Sequence, residues 1–160
     1  MFDFAPSDAA DKPLLYRELC EAADALTSGE PDGIANMANV AALVWGFVPD
    51  LNWAGFYRVI GDGLVLGPFM GRPACIRIPL GQGVCGTAAG EARSVLVEDV
   101  HSFPGHIACD ANSRSELVVP IVVDGTVKAI IDLDSPLPSR FDDKDRDGFE
   151  ALAAILATRI

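Results

Sequence analysis

No apolar run in this chain approaches the ~20 residues that a membrane-spanning helix needs. The N-terminal stretch Met1-Phe2-Asp3-Phe4-Ala5-Pro6 has neither a basic n-region nor a signal-like apolar segment. Internal repeats, low-complexity segments and long linkers are absent. Basic residues are scarce, 12 Lys and Arg against 23 Asp and Glu, for a formal net charge of -11. Such a surface repels nucleic acid backbones and anionic membranes, so neither is expected as a partner. We expect a cytoplasmic protein without a transmembrane helix. Metal and nucleotide signatures are also missing. No C-x-x-C or H-x-x-x-H pair occurs, and Gly81-Gln82-Gly83 resembles no phosphate-binding loop. No cofactor is called for.

What is present fits one domain over residues 1–160, with half the residues hydrophobic and enough of them for a sizeable core. Residues 11–28 carry Leu15, Leu19, Ala22, Ala23 and Leu26 at helical spacing. A second helix is predicted over 32–47, with Ile34, Met37, Val40, Ala41 and Val44 inward. Strands are predicted over 51–60, 64–69, 74–80 and 94–97, with a short helical segment over 84–89. Two further strands, 116–123 and 126–134, are joined by Asp124-Gly125, a strong hairpin signal. A last helix runs over 142–158, with Asp142 and Asp143 at its positive end. This order implies an α+β fold in which helices pack on one face of an antiparallel sheet. The aperiodic stretch 98–113 reads as a long ordered loop, which in a small domain is usually functional.

That loop holds Cys109, in Phe103-Pro104-Gly105-His106-Ile107-Ala108-Cys109-Asp110. A polar loop with proline and glycine is an unusual place for a cysteine that only fills a core. An acidic protein raises thiol pKa values, so a reactive cysteine here needs nearby donors or cations. Four cysteines occur, Cys20, Cys75, Cys85 and Cys109. In a cytosolic protein such a set signals catalysis, metal or burial more than structural disulfides. Cys75 and Cys85 flank a strand and a glycine-rich turn, and either is a candidate to approach Cys109. One thiol that attacks and another that resolves it as a disulfide is the chemistry such a set supports. The rival is zinc held by His101, His106 and Cys109, without the usual ligand spacing. Cys20, on the inward side of the first helix, reads as a buried bystander.

Asp132 and Asp134 are two apart in a strand and so share a face, between Ile130, Ile131 and Leu133. If that face lines a pocket, burial and mutual repulsion raise at least one of their pKa values, giving an acid beside a cation-binding carboxylate. Counting back through the Asp124-Gly125 turn, with a simple register, brings Glu116 beside them. Three carboxylates together suit an ammonium-bearing ligand. Trp53 and Tyr57, four apart in a strand, can share a face.

Several motifs together resemble the free methionine-(R)-sulfoxide reductases. They are Asn52-Trp53-Ala54-Gly55-Phe56-Tyr57, Leu66-Gly67-Pro68-Phe69, Pro73-Ala74-Cys75 and Gly83-Val84-Cys85-Gly86-Thr87-Ala88. Asp99-Val100-His101 through Cys109-Asp110, Ser115-Glu116-Leu117-Val118-Val119-Pro120 and Asp132-Leu133-Asp134-Ser135 complete the set. The likeness runs from about Tyr16 to Leu156, and ordinary signalling GAF domains lack this cysteine set. It implies a GAF domain, usually a homodimer, that reduces the free R epimer. It assigns Cys109 as nucleophile, Cys75 as the main resolving thiol and Cys85 to a further redox role. It also puts the pocket at Trp53, Tyr57, Glu116, Asp132 and Asp134.

The expected mechanism has Cys109 attack the sulfoxide sulfur while Asp134 or Glu116 protonates the oxygen. Cys75 then resolves the sulfenic acid, and thioredoxin reduces the disulfide. Trp53 packs on the methyl group, and the carboxylates hold the ammonium. Backbone amides before Cys109 are expected to hold the substrate carboxylate. A GAF sensor is the competing reading; it needs an output domain, for which 160 residues leave no room. A structural zinc module is the third.

Overall fold

The computed structural model describes residues 3–160, so Met1 and Phe2 of the N-terminal stretch lie outside the described residues. Helix α1 (Lys12–Thr27) starts where the Asp11 side chain accepts from the Leu14 N–H, with proline in the first turn. Helix α2 (Gly33–Phe47) starts where Asp32 accepts from the N–H groups of Ile34 and Ala35. Strands β1 (Trp53–Ile60), β2 (Gly63–Gly71) and β3 (Arg77–Pro79) follow, then helix α3 (Gly83–Glu91) and strand β4 (Val95–Val97). A 3-10 turn at Val100–Ser102 opens the long loop that ends at β5 (Ser115–Val123). Strand β6 (Thr126–Ser135) and helix α4 (Asp143–Leu156) complete the chain.

The six strands form one antiparallel sheet in the order β3-β2-β1-β6-β5-β4. Alternation along each strand divides it into two faces. Ala54, Phe56, Leu117, Val119, Ile121, Ala129, Ile131 and Leu133 pack with α1, α2 and α4 in the larger core. Trp53, Tyr57, Val118 and Ile130 face the other way, against Val84, Cys85, Ala88 and Ala89 of α3. The α+β fold is as expected, and three of the four helices do share one face. The short α3 lies on the opposite face, a placement its weak amphipathic pattern did not signal.

The helical layer is tied down by Asp145, whose side chain is fully buried. Its carboxylate accepts from Tyr16 Oη at 2.6 Å and pairs with Lys12 Nζ at 2.6 Å. Asp142 and Asp145 form a capping box at the start of α4. A buried carboxylate is tolerated when its charge and its lone pairs are both met, as they are here.

Three expectations are corrected. Ile34, predicted inward, is 44% exposed. Asn36 is buried in that first turn instead, because its amide donates to the carbonyls of Glu30 and Arg159. Cys20 is only half-buried, at the edge of the core. The third strand is shorter than the predicted 74–80, spanning Arg77–Pro79, with Cys75 bonded to Cys109 instead of sitting in the ladder.

Candidate active site

On the α3 face, one row crosses three strands. Trp53 of β1 pairs with Asp134 of β6, which pairs with Glu116 of β5. Gly55, Asp132 and Val118 form the adjacent row on the same face. The register behind this is not a simple hairpin. The Asp124-Gly125 turn has φ of 50° and 75°, as a two-residue primed turn requires. An unbroken ladder from it would set Glu116 opposite Leu133, on the wrong face. A bulge between Ile121 and Val122 shifts the pairing by one residue and brings Glu116 opposite Asp134.

Trp53 stacks on Phe69 at 5.3 Å between ring centroids and on Tyr57 at 5.9 Å. Gly55 permits the first contact, because a Cβ there would meet the Phe69 side chain and the backbone of Pro68. Trp53 Nε1 donates to the Arg72 carbonyl at 3.1 Å, and Tyr57 Oη donates to the Cys75 carbonyl at 2.9 Å. The aromatic strand therefore fixes the segment that carries Cys75.

Cys75 and Cys109 are joined by a disulfide, with Cα atoms 5.7 Å apart. Cys109 is exposed on its loop and Cys75 is half-buried. Cys85 is unbonded and buried, its Sγ 3.7 Å from Glu116 Oε1. Cys85, Cys109, the three carboxylates, Trp53 and Tyr57 line one cleft of about 530 Å³, part of it open to solvent, and Pro73 and Ala74 just before Cys75 line it too. The zinc grouping of His101, His106 and Cys109 does not form among the described residues, where Cys109 sulfur is bonded to Cys75 and His101 is exposed.

Electrostatics in the cleft run one way. Burial, then the charges of Asp132 and Asp134, push Glu116 well above the usual carboxylate range. Burial and Asp132 likewise push Asp134 up, against a hydrogen bond with Ser113 that favours its ionised form. Asp132 rises to about 6 through burial, opposed by contacts with Cys85, Glu116 and the Leu133 amide. Glu116 and Asp134 therefore hold protons at neutral pH, while Asp132 is largely ionised. Burial and the same carboxylates raise the Cys85 thiol, so it rests protonated. Burial, then His101, lowers His106, which lines the cleft as a neutral ring.

The GAF domain family pattern matches residues 15–160. The free methionine-R-sulfoxide reductase of Escherichia coli strain K12 is 47% identical over 146 residues, covering 91% of this chain and 88% of that protein. The chain belongs to the GAF-domain family of free methionine-R-sulfoxide reductases. Among solved structures, the free methionine-R-sulfoxide reductase of Neisseria meningitidis in complex with its substrate is 42% identical. Its TM-score is 0.91, over 99% of this chain and 94% of that one. A reduced-form structure of the Staphylococcus aureus protein is 46% identical, with a TM-score of 0.87 over 90% of this chain and 94% of that one.

Seven of the eight residues singled out in the sequence line this cleft of the reductase-family fold: Cys109, Cys85, Trp53, Tyr57, Glu116, Asp132 and Asp134. The eighth, Cys75, sits beside it, bonded to Cys109. Four supporting residues, Asn52, Asp110, Ser113 and Gln82, had not been singled out. Asn52, at the mouth of β1, donates to Asp110 and Ser113, both of which line the cleft. An amide immediately before a pocket-facing strand was the available signal. The first turn of α3 also borders the cleft, and Gln82 caps it without a side-chain hydrogen bond.

Proposed function

We propose that this protein reduces free methionine-(R)-sulfoxide to methionine, with Cys109 as nucleophile. One observation carries the reading: the cleft cysteine Cys109 is joined by a disulfide to Cys75, beside three buried or half-buried carboxylates of which Glu116 and Asp134 hold protons. The thiolate of Cys109 attacks the sulfoxide sulfur, and Glu116 or Asp134 delivers a proton to the oxygen. The oxygen ends on Cys109 as a sulfenic acid, and methionine leaves with two more electrons than the sulfoxide had. The Cys75 thiol then condenses with the sulfenic acid and releases water. The resulting bond is the one present in the structure.

Asp132, ionised most easily of the three, holds the substrate ammonium through a charge-assisted hydrogen bond. Trp53 packs against the methyl group. The first turn of α3, whose N–H groups lack a side-chain cap, suits the substrate carboxylate better than the loop before Cys109. A peptide-bound sulfoxide has no ammonium and would leave Asp132 buried and unpaired, which explains selection of the free amino acid. Cys109 lies exposed at the cleft mouth, where a dithiol protein such as thioredoxin can attack the disulfide and return both thiols. The further redox role of Cys85 is supported by its place in the same cleft. Homodimer assembly and a cytoplasmic setting belong to the same reading and rest on family membership.

Single-turnover chemistry tests the assignment. Cys109→Ser should release no methionine from reduced enzyme, whereas Cys75→Ser should release about one per chain and then fail to recycle with thioredoxin. Normal release by Cys109→Ser would remove Cys109 from its role. Sustained thioredoxin-linked turnover in Cys75→Ser would make Cys85 the resolving thiol.

A further inference from the structure

Cys85, Glu116 and Asp132 present one sulfur and two carboxylate oxygens that all lie within 4.8 Å of one another, each on a buried residue. We propose that these three residues form a binding site for one divalent cation of the zinc class, and that the cation excludes the ammonium-bearing ligand from the cleft.

Four observations lead there. The first is spacing. Zinc bonds of ~2.3 Å to sulfur and ~2.0 Å to oxygen, at the tetrahedral angle, set a sulfur–oxygen edge of about 3.5 Å. Cys85 Sγ and Glu116 Oε1 already stand 3.7 Å apart. The second is an unmet valence. Asp132 is 6% exposed, and its Oδ1 is buried with no hydrogen-bond partner among the described residues. An orphaned buried carboxylate oxygen is costly unless something outside the chain meets it. The third is charge. Arg72 is the one Lys or Arg among the residues lining the cleft, and it is exposed. The fourth is donor chemistry. A thiolate with two carboxylates favours zinc, cobalt or cadmium over magnesium or calcium, which take oxygen ligands in larger number.

Binding replaces the thiol proton and any carboxyl proton, which pass to water. Three protein ligands leave a fourth position for solvent. The cation then stands where the substrate ammonium would, so zinc acts as a competitive inhibitor. That consequence rests on the function proposed above; the binding itself does not.

Cobalt(II) makes a suitable probe, because thiolate coordination gives a charge-transfer band in the near ultraviolet. In the disulfide form the free cysteines are Cys20 and Cys85. A Cys20→Ser background therefore leaves Cys85 as the reporter. Anaerobic titration of that oxidised protein should give the band at about one cobalt per chain. Zinc should abolish it, and so should Cys85→Ser or Asp132→Asn in protein whose circular dichroism is unchanged. In the reduced enzyme, zinc should raise KM for the sulfoxide and leave kcat in place. No band, or a band that survives Cys85→Ser, overturns the site. Turnover without a band sinks the cation site alone. A band without turnover keeps the site and sinks the reductase reading.

Discussion

The Asn52 side-chain amide donates to Asp110, the residue that follows Cys109, at 3.1 Å. The same amide donates to Ser113 at 3.0 Å, and the Asn52 backbone N–H is held by the Asp134 carbonyl at 3.0 Å. One residue thus anchors the Cys109 loop to the strand that carries two of the cleft carboxylates. Asn52→Ala should cost about 1–2 kcal/mol of stability from the two lost hydrogen bonds. It should also lower kcat more than it raises KM, because the loop that places Cys109 loosens while the carboxylates stay. Steady-state kinetics beside a denaturant curve measure both. Unchanged kcat would show that the loop needs no such anchor.

Asp132→Asn should separate stability from activity. The ionised carboxylate raises the pKa values of both Glu116 and Asp134, so its charge opposes theirs within a buried cleft. Removing that charge should raise the melting temperature. Loss of a charged hydrogen bond to the ammonium, about 1.5–3 kcal/mol, should raise KM roughly tenfold to a hundredfold. A variant that is less stable, or that keeps the wild-type KM, would contradict this role.

Gly148→Ala tests the opposite face. A Cβ at Gly148 would meet the Tyr16 ring, which also donates to the buried Asp145. Overpacking here should cost about 1–3 kcal/mol and lower the melting temperature. Below that temperature the activity per folded molecule should be unchanged, because α1 and α4 lie across the sheet from the cleft.

Acid should weaken the helical layer through Asp142. Burial works against its ionisation, but the Lys12 ammonium and the amides of Asp145 and Lys144 outweigh it and hold the carboxyl at about 2. Its ordinary value is 3.8. A carboxyl with a depressed folded pKa stabilises the fold above the unfolded value, so this contribution is present above pH ~4 and is lost as pH falls through ~2. The side chain is 55% exposed, so solvent screening keeps the effect well under what the shift alone suggests. Asp142→Asn should flatten the unfolding free energy against pH over that interval, and an unchanged slope would contradict it.

Much of the cleft was legible because strands alternate with an invariant period. Asp132 and Asp134 had to share a face, as did Trp53 and Tyr57, and both pairs do. Glu116 joined them only through the Ile121/Val122 bulge, which no local residue pattern announced. Which face α3 would cover was also hidden, since its glycines and alanines fit either side. Ile34 failed for a related reason: spacing tells which way a residue points, but not whether a neighbour reaches that far. The choice of Cys75 over Cys85 as partner of Cys109 came from resemblance. In the structure it follows from burial, with Cys85 held under Glu116 and Cys75 carried on an outer segment that Tyr57 and Trp53 fix.

Methionine release from free methionine-(R)-sulfoxide, driven by dithiothreitol, is the most direct measurement, with the S epimer and a peptide-bound sulfoxide run beside it. Turnover confined to the free R epimer is the expected result. Absence of turnover by folded, fully reduced protein would contradict the assignment, and equal turnover of the peptide-bound form would contradict the carboxylate–ammonium recognition on which it is built.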